Sequence, residues 1–390
     1  MPLRCFKSLL VLGFSVCMIF ISNISLAQEK HPESTPATEK KIDPAKIILE
    51  HVGDGHEFHF FSFNGKHFTI PLPVILYSSG KGFSVFMSSH FHHGDEAYQG
   101  YRLLNEKFVE ENHLAEKKDA KGQELFTEGK IYAVDESGMP LLGTKVFDLS
   151  ITRNVTQMLL SLVLLIWLMT GVARQYGKGK GRTSAPSGFQ NAVEPVITFV
   201  RDEVGKPNLG AHYKGYMPYL LTVFFFILIN NLIGLVPGTA NVTGNIAFTA
   251  VLGVISFIVI MFNTNKHFWG HIFNPPVPMG VKPILVPVEI LGIFTKPFAL
   301  IIRLFANMIS GHIIIVSFIC LIFIFGAMNT ALGWGTSPFF ILMAVFIYMI
   351  EVLVAFIQAF IFTNLTAVFI GQAFEGGHKD TDGHAEAAVI

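Results

Sequence analysis

Beyond residue 150, four stretches of the chain run for 20 residues or more without a single Asp, Glu, Lys or Arg. They cover residues 154–173, 215–265, 304–350 and 352–374. About 20 apolar residues in a helix rise about 30 Å, which is the thickness of the hydrocarbon core of a bilayer. Each stretch is therefore long enough to cross a membrane at least once.

Two turn-rich segments interrupt the longest stretches. VPGTANVTGN (236–245) breaks the second, and GAMNTALGWGTSP (326–338) breaks the third. Clusters of Gly, Pro, Asn and Thr are typical of loops. The pattern predicts an all-α polytopic membrane domain over residues 151–375, with about five transmembrane helices at roughly 152–173, 217–236, 246–264, 285–325 and 338–372. The last two are too long for upright spans, so we expect them to be strongly tilted.

The Lys and Arg residues of the connecting loops predict the orientation. Loop 174–214 carries seven of them and loop 265–283 carries two, whereas 237–245 and 326–338 carry none. Because basic loops stay in the cytoplasm, the N-terminus should be extracytoplasmic and the tail at 376–390 cytoplasmic. We therefore expect a multi-pass protein of a bacterial inner membrane.

Residues 1–27 have the layout of a signal peptide. Arg4 and Lys7 precede the apolar run SLLVLGFSVCMIFIS, and Ser25-Leu26-Ala27 offers the small residues of a cleavage site. The alternative is an uncleaved first membrane helix. Either interpretation delivers the following segment outside the cytoplasm, which agrees with the loop charges.

Residues 28–150 are polar and predict a small extracytoplasmic domain, mostly β. Residues 28–45 hold few apolar side chains, but the following stretch alternates apolar and polar positions around Asn64-Gly65, which is a hairpin signal. Seven histidines lie between residues 51 and 93, at 51, 56, 59, 67, 90, 92 and 93. Their spacing matches no firm metal-ligand pattern, so solvated strand positions are favoured over a metal site.

Composition narrows the function classes. Of the 390 residues, 51% are hydrophobic and only 14% are charged, against roughly a quarter in soluble domains. The formal net charge of zero suggests no attraction to nucleic acid. The three cysteines offer neither a disulfide framework nor zinc spacing. No phosphate-binding loop occurs, since GKGKGRTS (177–184) has the wrong spacing, so we expect no nucleotide chemistry and no cofactor on this chain.

Ionisable residues nevertheless lie inside the fourth predicted span. Insertion of an arginine at mid-membrane costs about 2.5–3.5 kcal/mol of free energy on insertion scales. Arg303 is therefore predicted to have a functional role. Four residues follow one stripe at intervals of seven, namely Glu289, Lys296, Arg303 and Ser310. An arginine that snorkels to the headgroups is the alternative, but apolar sequence continues on both sides of Arg303.

Further polar residues extend this pattern to the last span. Asn307 shares the stripe of Arg303, whereas His312 points to the opposite side of the helix. Glu351 and Gln358, seven residues apart, share one face of the final helix. Such a set predicts a path for ions or protons, because each group can donate, accept or change charge.

The same residues carry a resemblance to a known family. The strings KPFALIIRLFANMISGH (296–312) and EVLVAFIQAFIFTNLTAV (351–368) resemble subunit a of the rotary proton-translocating F-type ATP synthase. NNLIGLVP (230–237) and the NVT of ANVTGN (240–245) resemble the third and fourth helices of that family. The similarity runs from about 150 to 375 and leaves residues 28–150 outside it.

The resemblance implies a role for each residue. Arg303 matches the stator arginine that faces the carboxylates of a rotor ring of c subunits, and Asn307 and Gln358 match polar neighbours of that arginine. The remaining matches, to groups lining the half-channel that opens outside, are Glu289, His312 and Glu351. The chain departs from well-known bacterial members because His312 stands where they have an acid and Glu351 where they have an imidazole.

The resemblance also implies partners and leaves competing functions open. The partners would be the c-ring, b-type peripheral stalk subunits, the catalytic F1 sector through the complex, and membrane lipid. The chain itself would be a proton-conducting stator subunit and not an enzyme alone. An ion-coupled secondary transporter is the alternative, but the sequence shows no repeated halves. A signalling or assembly protein would explain residues 28–150 but not the intramembrane charges.

Overall fold

The computed structural model describes residues 53–374. Its internal gaps are 64–65, 79–80, 115–124, 136, 142–143, 180, 182–184, 186–187, 237, 263–265 and 274–279. The signal peptide predicted at 1–27, the segment 28–52 and the tail at 376–390 lie outside the described residues.

The N-terminal part of the described chain consists of short strands with one helical turn. The strands are β1 (Glu57–Phe63), β2 (Lys66–Pro71), β3 (Pro73–Ser78), β4 (Gly82–Met87), β5 (Tyr101–Leu103), β6 (Ile131–Ala133) and β7 (Val146–Asp148), with α1 (Glu106–Glu111) after β5. They pair antiparallel as β1-β2, β4-β3-β7 and β5-β6. In the β1-β2 pair Phe63 faces Lys66, in agreement with a two-residue connection at 64–65.

Residues from 153 onwards are helical. The helices are α2 (Arg153–Gly177), α3 (Phe189–Phe199), α4 (Lys206–Leu209), α5 (Tyr213–Gly234), α6 (Ile246–Phe262), α7 (Lys266–Phe273), α8 (Lys282–Met328) and α9 (Thr330–Phe374). A π-helical turn at Val200–Gly205 joins α3 to α4.

Four helical segments among the described residues are long and apolar enough to span a membrane. They are Arg153–Gly177, Phe189–Gly234, Lys282–Met328 and Thr330–Gln372. Helix α6 is also apolar but has only 17 residues. The protein is thus mostly helical and polytopic, as the sequence predicted, while the count of five crossings and their tilt stay predictions.

Helices α8 and α9 form one antiparallel hairpin that dominates the membrane domain. Helix α8 has 47 residues, a length of about 70 Å, and continues through Pro287 and Pro297. The loop expected at 326–338 contracts to Asn329, where φ is −160° and the helix ends. The two helices can meet so close to their turn because the backbone of Gly326 lies where a side chain at Gly333 would have to go.

The hairpin packs on the other helices through one continuous apolar core. Leu300 and Leu304 of α8 and Phe362 of α9 are buried in the same cluster as Val223 and Phe224 of α5. Helix α2 joins this core through buried side chains such as Leu165 and Val172.

The N-terminal strands are fastened to the first turn of α2 by hydrogen bonds. The Arg153 N–H donates to the Gly55 carbonyl over 2.8 Å, and its guanidinium Nη2 donates to the Gly53 carbonyl over 2.6 Å. The Asn154 N–H donates to Asp54 Oδ1 over 3.1 Å. These bonds satisfy backbone donors that a helix start leaves unpaired. They also hold residues 53–55, just before β1, at the N-terminal end of α2.

Candidate functional site

The pairing of α8 with α9 determines which polar residues lie at the same level. Met308 of α8 packs with Ala355 of α9 and with Leu235 at the end of α5. Further along, Lys296 Nζ donates to Gln372 Oε1 over 3.4 Å. In an antiparallel pair, residues between these two contacts lie between them in space, which places Arg303 at about the level of Gln358.

Arg303 lies on the outer surface of the hairpin. Its side chain is exposed, whereas Leu304 beside it is buried in the core. No ion pair to Arg303 is found among the described residues. Asn307, one turn further on, is half-buried, and Gln358 is buried. Arg303, Asn307 and Gln358 thus lie within about one helical turn of the same level of the hairpin, with the Arg303 cation on its exposed side.

Glu351 of α9 lies against α8 at Gly311, eight residues beyond Arg303 in the direction of the hairpin turn. It is only 7% exposed, and its Oε1 occupies the space that a side chain at Gly311 would need. Both carboxylate oxygens are buried and accept no hydrogen bond from a described residue. His312 is the next residue along α8. The structure thus places Glu351 at the level of His312, as the predicted pair requires, and leaves its oxygens in need of a donor.

Three amide side chains near Glu351 were not among the predicted site residues. Asn231 of α5 donates through Nδ2 to the Ala355 carbonyl over 3.2 Å, and Asn241 donates in the same way to the Met308 carbonyl over 3.2 Å. Gln157 of α2 exchanges two hydrogen bonds with the backbone of Ala240. Its Nε2 donates to the carbonyl over 2.5 Å, and its Oε1 accepts from the N–H over 2.6 Å.

Gln157, Asn231 and Asn241, here named the amide wall, link α2, α5 and the 235–245 loop to the hairpin. All three are buried, so unpaired amides would be costly. The bonds of Gln157 and Asn241 hold the loop in position, and the bond of Asn231 joins α5 to α9. The motifs NNLIGLVP and NVT contain Asn231 and Asn241, and this was the available signal. Gln157 gave none, because a single glutamine in an apolar span has no partner that spacing can reveal.

Glu289 does not join the His312–Glu351 pair. It lies 14 residues before Arg303 on the continuous helix α8, about 21 Å away, whereas His312 lies nine residues after it, about 13 Å away. Lys296 stands between Glu289 and Arg303, and its ammonium is 5.0 Å from the centroid of the Phe369 ring. The predicted set is thus divided between the two sides of Arg303.

The ionisable groups along the hairpin are of the kind that can accept and release protons. Among the described residues, no three His, Cys, Asp or Glu side chains are grouped to hold a metal ion. The hairpin instead presents ionisable groups in two places along one helix pair, separated by a guanidinium that keeps its charge. Each place can accept or release a proton, and the cation between them cannot pass one on.

Comparison with known proteins finds matches along most of the chain. The family model of the ATP synthase A chain matches residues 155–371. A model described as a domain of unknown function matches residues 47–149. A protein named ATP synthase subunit a from Chloroherpeton thalassium is 43% identical over 64% of this chain and 74% of its own length.

Two further relatives carry similar names. ATP synthase subunit a 2 from Chlorobaculum tepidum is 43% identical over 64% of this chain and 70% of its own length. ATP synthase subunit a from Anaeromyxobacter dehalogenans is 38% identical over 61% of each chain. The matched segment contains every predicted site residue.

Proposed function

The chain belongs to the ATP synthase A chain family, and on that premise we propose that it is the stator proton channel of the synthase's membrane sector. Members of this family are membrane subunits with a part in proton transport and ATP synthesis, and they are not catalytic by themselves. The chain would work with a rotor ring of c subunits and with b-type stalk subunits, and through them with the catalytic F1 sector.

The exposure of Arg303 is the observation that carries the proposal. A guanidinium on the open side of an apolar helix pair must meet either lipid or a partner with an opposite charge. Its exposed neighbours on α8 include two apolar residues, Ile302 beside it and Ala299 one turn earlier. Such a surface fits a ring of helices whose membrane-embedded carboxylates pass the cation one at a time.

The charge of Arg303 gives the passage its direction. A carboxylate that faces the guanidinium in a low dielectric is favoured in its ionised form, so it releases its proton on reaching Arg303. Because arginine does not give up its own proton, protons cannot leak directly across this point. They cross only on the carboxylates of a turning ring.

The residues on the two sides of Arg303 would serve two separate aqueous half-channels. The Glu351 carboxylate, with His312 beside it and the amide wall around it, would belong to one. Glu289 and Lys296, toward the other end of α8, would line the second, which revises the sequence-based expectation that Glu289 shares a half-channel with His312. Each proton that crosses 100 mV contributes about 2.3 kcal/mol, so several are needed for one ATP.

The charges of the loops supply the orientation. With basic residues concentrated in 174–214 and 265–283, five crossings place the N-terminal domain outside the cytoplasm and the C-terminus inside. The membrane would then be a bacterial inner membrane. The half-channel at Glu351 would open to the outside, because loop 237–245, which Asn241 joins to α8 at Met308, carries no Lys or Arg and is therefore expected outside the cytoplasm.

Replacement of Arg303 by alanine tests the proposal. In inverted membrane vesicles containing the whole synthase, Arg303→Ala should abolish ATP-driven proton pumping and ATP synthesis, while the amount of assembled complex stays close to that of the wild type. Lys282→Ala removes a positive charge from the first residue of the same helix and serves as the matched control. ATP synthesis retained by Arg303→Ala would contradict the assignment.

A further inference from the structure

The three-stranded sheet β4-β3-β7 has one buried face and one apolar face that is open. Val74, Leu76 and Phe86 point into the core of the N-terminal domain. The opposite side, here named the apolar sheet face, consists of six exposed side chains: Tyr77, Phe83, Val85, Met87, Phe147 and Leu149. Phe83 is 72% exposed, Val85 65%, Phe147 57% and Leu149 59%.

The strand register makes these side chains contiguous. Tyr77 lies between its cross-strand partners Phe83 and Phe147, with ring centroids 4.8 Å and 6.3 Å away. Val85 is paired with Ile75, whose carbonyl accepts from the Leu149 N–H over 2.9 Å. Small folded domains rarely leave a continuous apolar surface of this kind in water. We therefore expect lipid or another protein surface to cover the apolar sheet face.

The apolar sheet face lies close to the point where the chain enters the membrane. Four residues separate Asp148, the last residue of β7, from Arg153, the first residue of α2. A fully extended chain spans at most about 3.6 Å per residue, so Leu149 lies within about 14 Å of the start of α2. The bonds of Arg153 to residues 53 and 55 keep the domain at that helix end.

We propose that the apolar sheet face rests on the lipid leaflet that α2 enters, as a second and non-spanning membrane contact of the chain. Helix α2, separated from β7 by four residues, also exposes apolar side chains, among them Leu160, Val163 and Ile166. The proposal depends on α2 crossing the membrane and not on the proton-conducting role of Arg303.

The chemistry of the face favours lipid over a protein partner. A specific protein interface carries about one hydrogen bond per 100–200 Å², whereas the only side-chain polar group on this face is the Tyr77 hydroxyl. Tyr concentrates where headgroups meet hydrocarbon, and Phe and Leu are typical of the apolar side of segments that lie on a membrane surface. Lys145, exposed just before β7, is placed to meet lipid phosphate.

A spin label at Phe83 distinguishes lipid from water and from protein. The label is attached to Phe83→Cys in a variant whose native cysteines are replaced by serine, within the whole synthase in nanodiscs of phosphatidylcholine and phosphatidylglycerol. We expect the label to collide readily with oxygen, which dissolves in lipid, and to be protected from a water-soluble nickel chelate. Glu110→Cys, at an exposed position of α1, is the control and should show the reverse preference.

Two results would overturn the proposal. Free access of the nickel chelate to the label at 83 would mean that the face is open to water. An immobilised label that neither reagent reaches would mean that protein covers it, either another subunit or a second copy. Because a label can disturb its own site, Val85→Cys and Phe147→Cys are measured as well, and the proposal requires the same preference at both. None of these measurements needs turnover, so their failure would leave the Arg303 test unaffected.

Discussion

Gly311→Ala adds a single methyl group that should impair proton transfer while the helix hairpin still folds. Its Cα faces the Glu351 carboxylate so closely that a Cβ in an unchanged backbone would overlap Oε1. Glu351 is buried, and Met308 and Ala355 beside it are buried too. Gly311→Ala therefore has to move either the carboxylate or the two helices.

The size of the effect follows from the close packing at this point. Forcing an extra methyl group into a packed site costs about 1–3 kcal/mol, while alanine improves helix propensity by about 1 kcal/mol over glycine. The fold should therefore survive. If the 1–3 kcal/mol falls on the productive position of Glu351, proton transfer slows by roughly 5- to 150-fold, since about 1.4 kcal/mol corresponds to a factor of ten.

The assay is ATP-driven acidification of inverted vesicles, followed with a pH-sensitive dye and normalised to the amount of assembled synthase. Gly292→Ala is the matched control, because it lies on the same helix and its Cβ would meet no atom within 4 Å. Glu351→Asp shortens the acid by one methylene group. Combined with Gly311→Ala, it should recover part of the lost rate.

Wild-type pumping by Gly311→Ala would refute this reasoning, because the carboxylate could then be displaced without consequence. Equal losses in Gly311→Ala and Gly292→Ala would also refute it. They would show that a glycine is needed for the flexibility of α8 rather than for the space beside Glu351.

Two further changes test the supports of the site and of the N-terminal domain. Gln157→Ala leaves the N–H and carbonyl of Ala240 buried without their partner, so we expect the free energy of unfolding to fall by about 2–5 kcal/mol. The measurement is the unfolding temperature of the solubilised synthase, which should decrease. Leu159→Ala, on the exposed side of α2, is the control and should have little effect. Burial alone would raise the pKa of Asp148, but hydrogen bonds from His56 over 2.6 Å and from Ser150 outweigh it and lower that pKa. A lowered carboxyl pKa stabilises the fold above the unfolded value of about 3.9, so the amide protection factors in β3 and β7, which are corrected for the intrinsic exchange rate at each pH, should fall as the pH drops below about 4. Asp148→Asn should remove that fall.

The helix hairpin shows how far apolar pattern alone reaches. Charge-free windows located α2, α5, α8 and α9 because hydrocarbon tolerates few charges, and that constraint is written in the sequence residue by residue. The segment GAMNTALGWGTSP carries the composition of a loop, yet all of it except Asn329 is helical. Inside a packed hairpin the close approach of Gly326 and Gly333 outweighs local propensity. The composition of the segment does not reveal that the two glycines are in contact.

The candidate site divides in the same way. The sequence by itself determined that Arg303, Asn307, Glu351 and Gln358 are out of place in an apolar span, and helical periodicity put them on shared faces. Only the tertiary structure decided that Arg303 is on the open side and that Glu351 is buried against Gly311. It also showed that α8 continues as one helix through Pro287 and Pro297, which keeps Glu289 and His312 about 35 Å apart along the helix axis. Periodicity reports the direction of a side chain around its own helix, whereas exposure and distance depend on which other helix lies opposite, and that is set by packing over the whole chain.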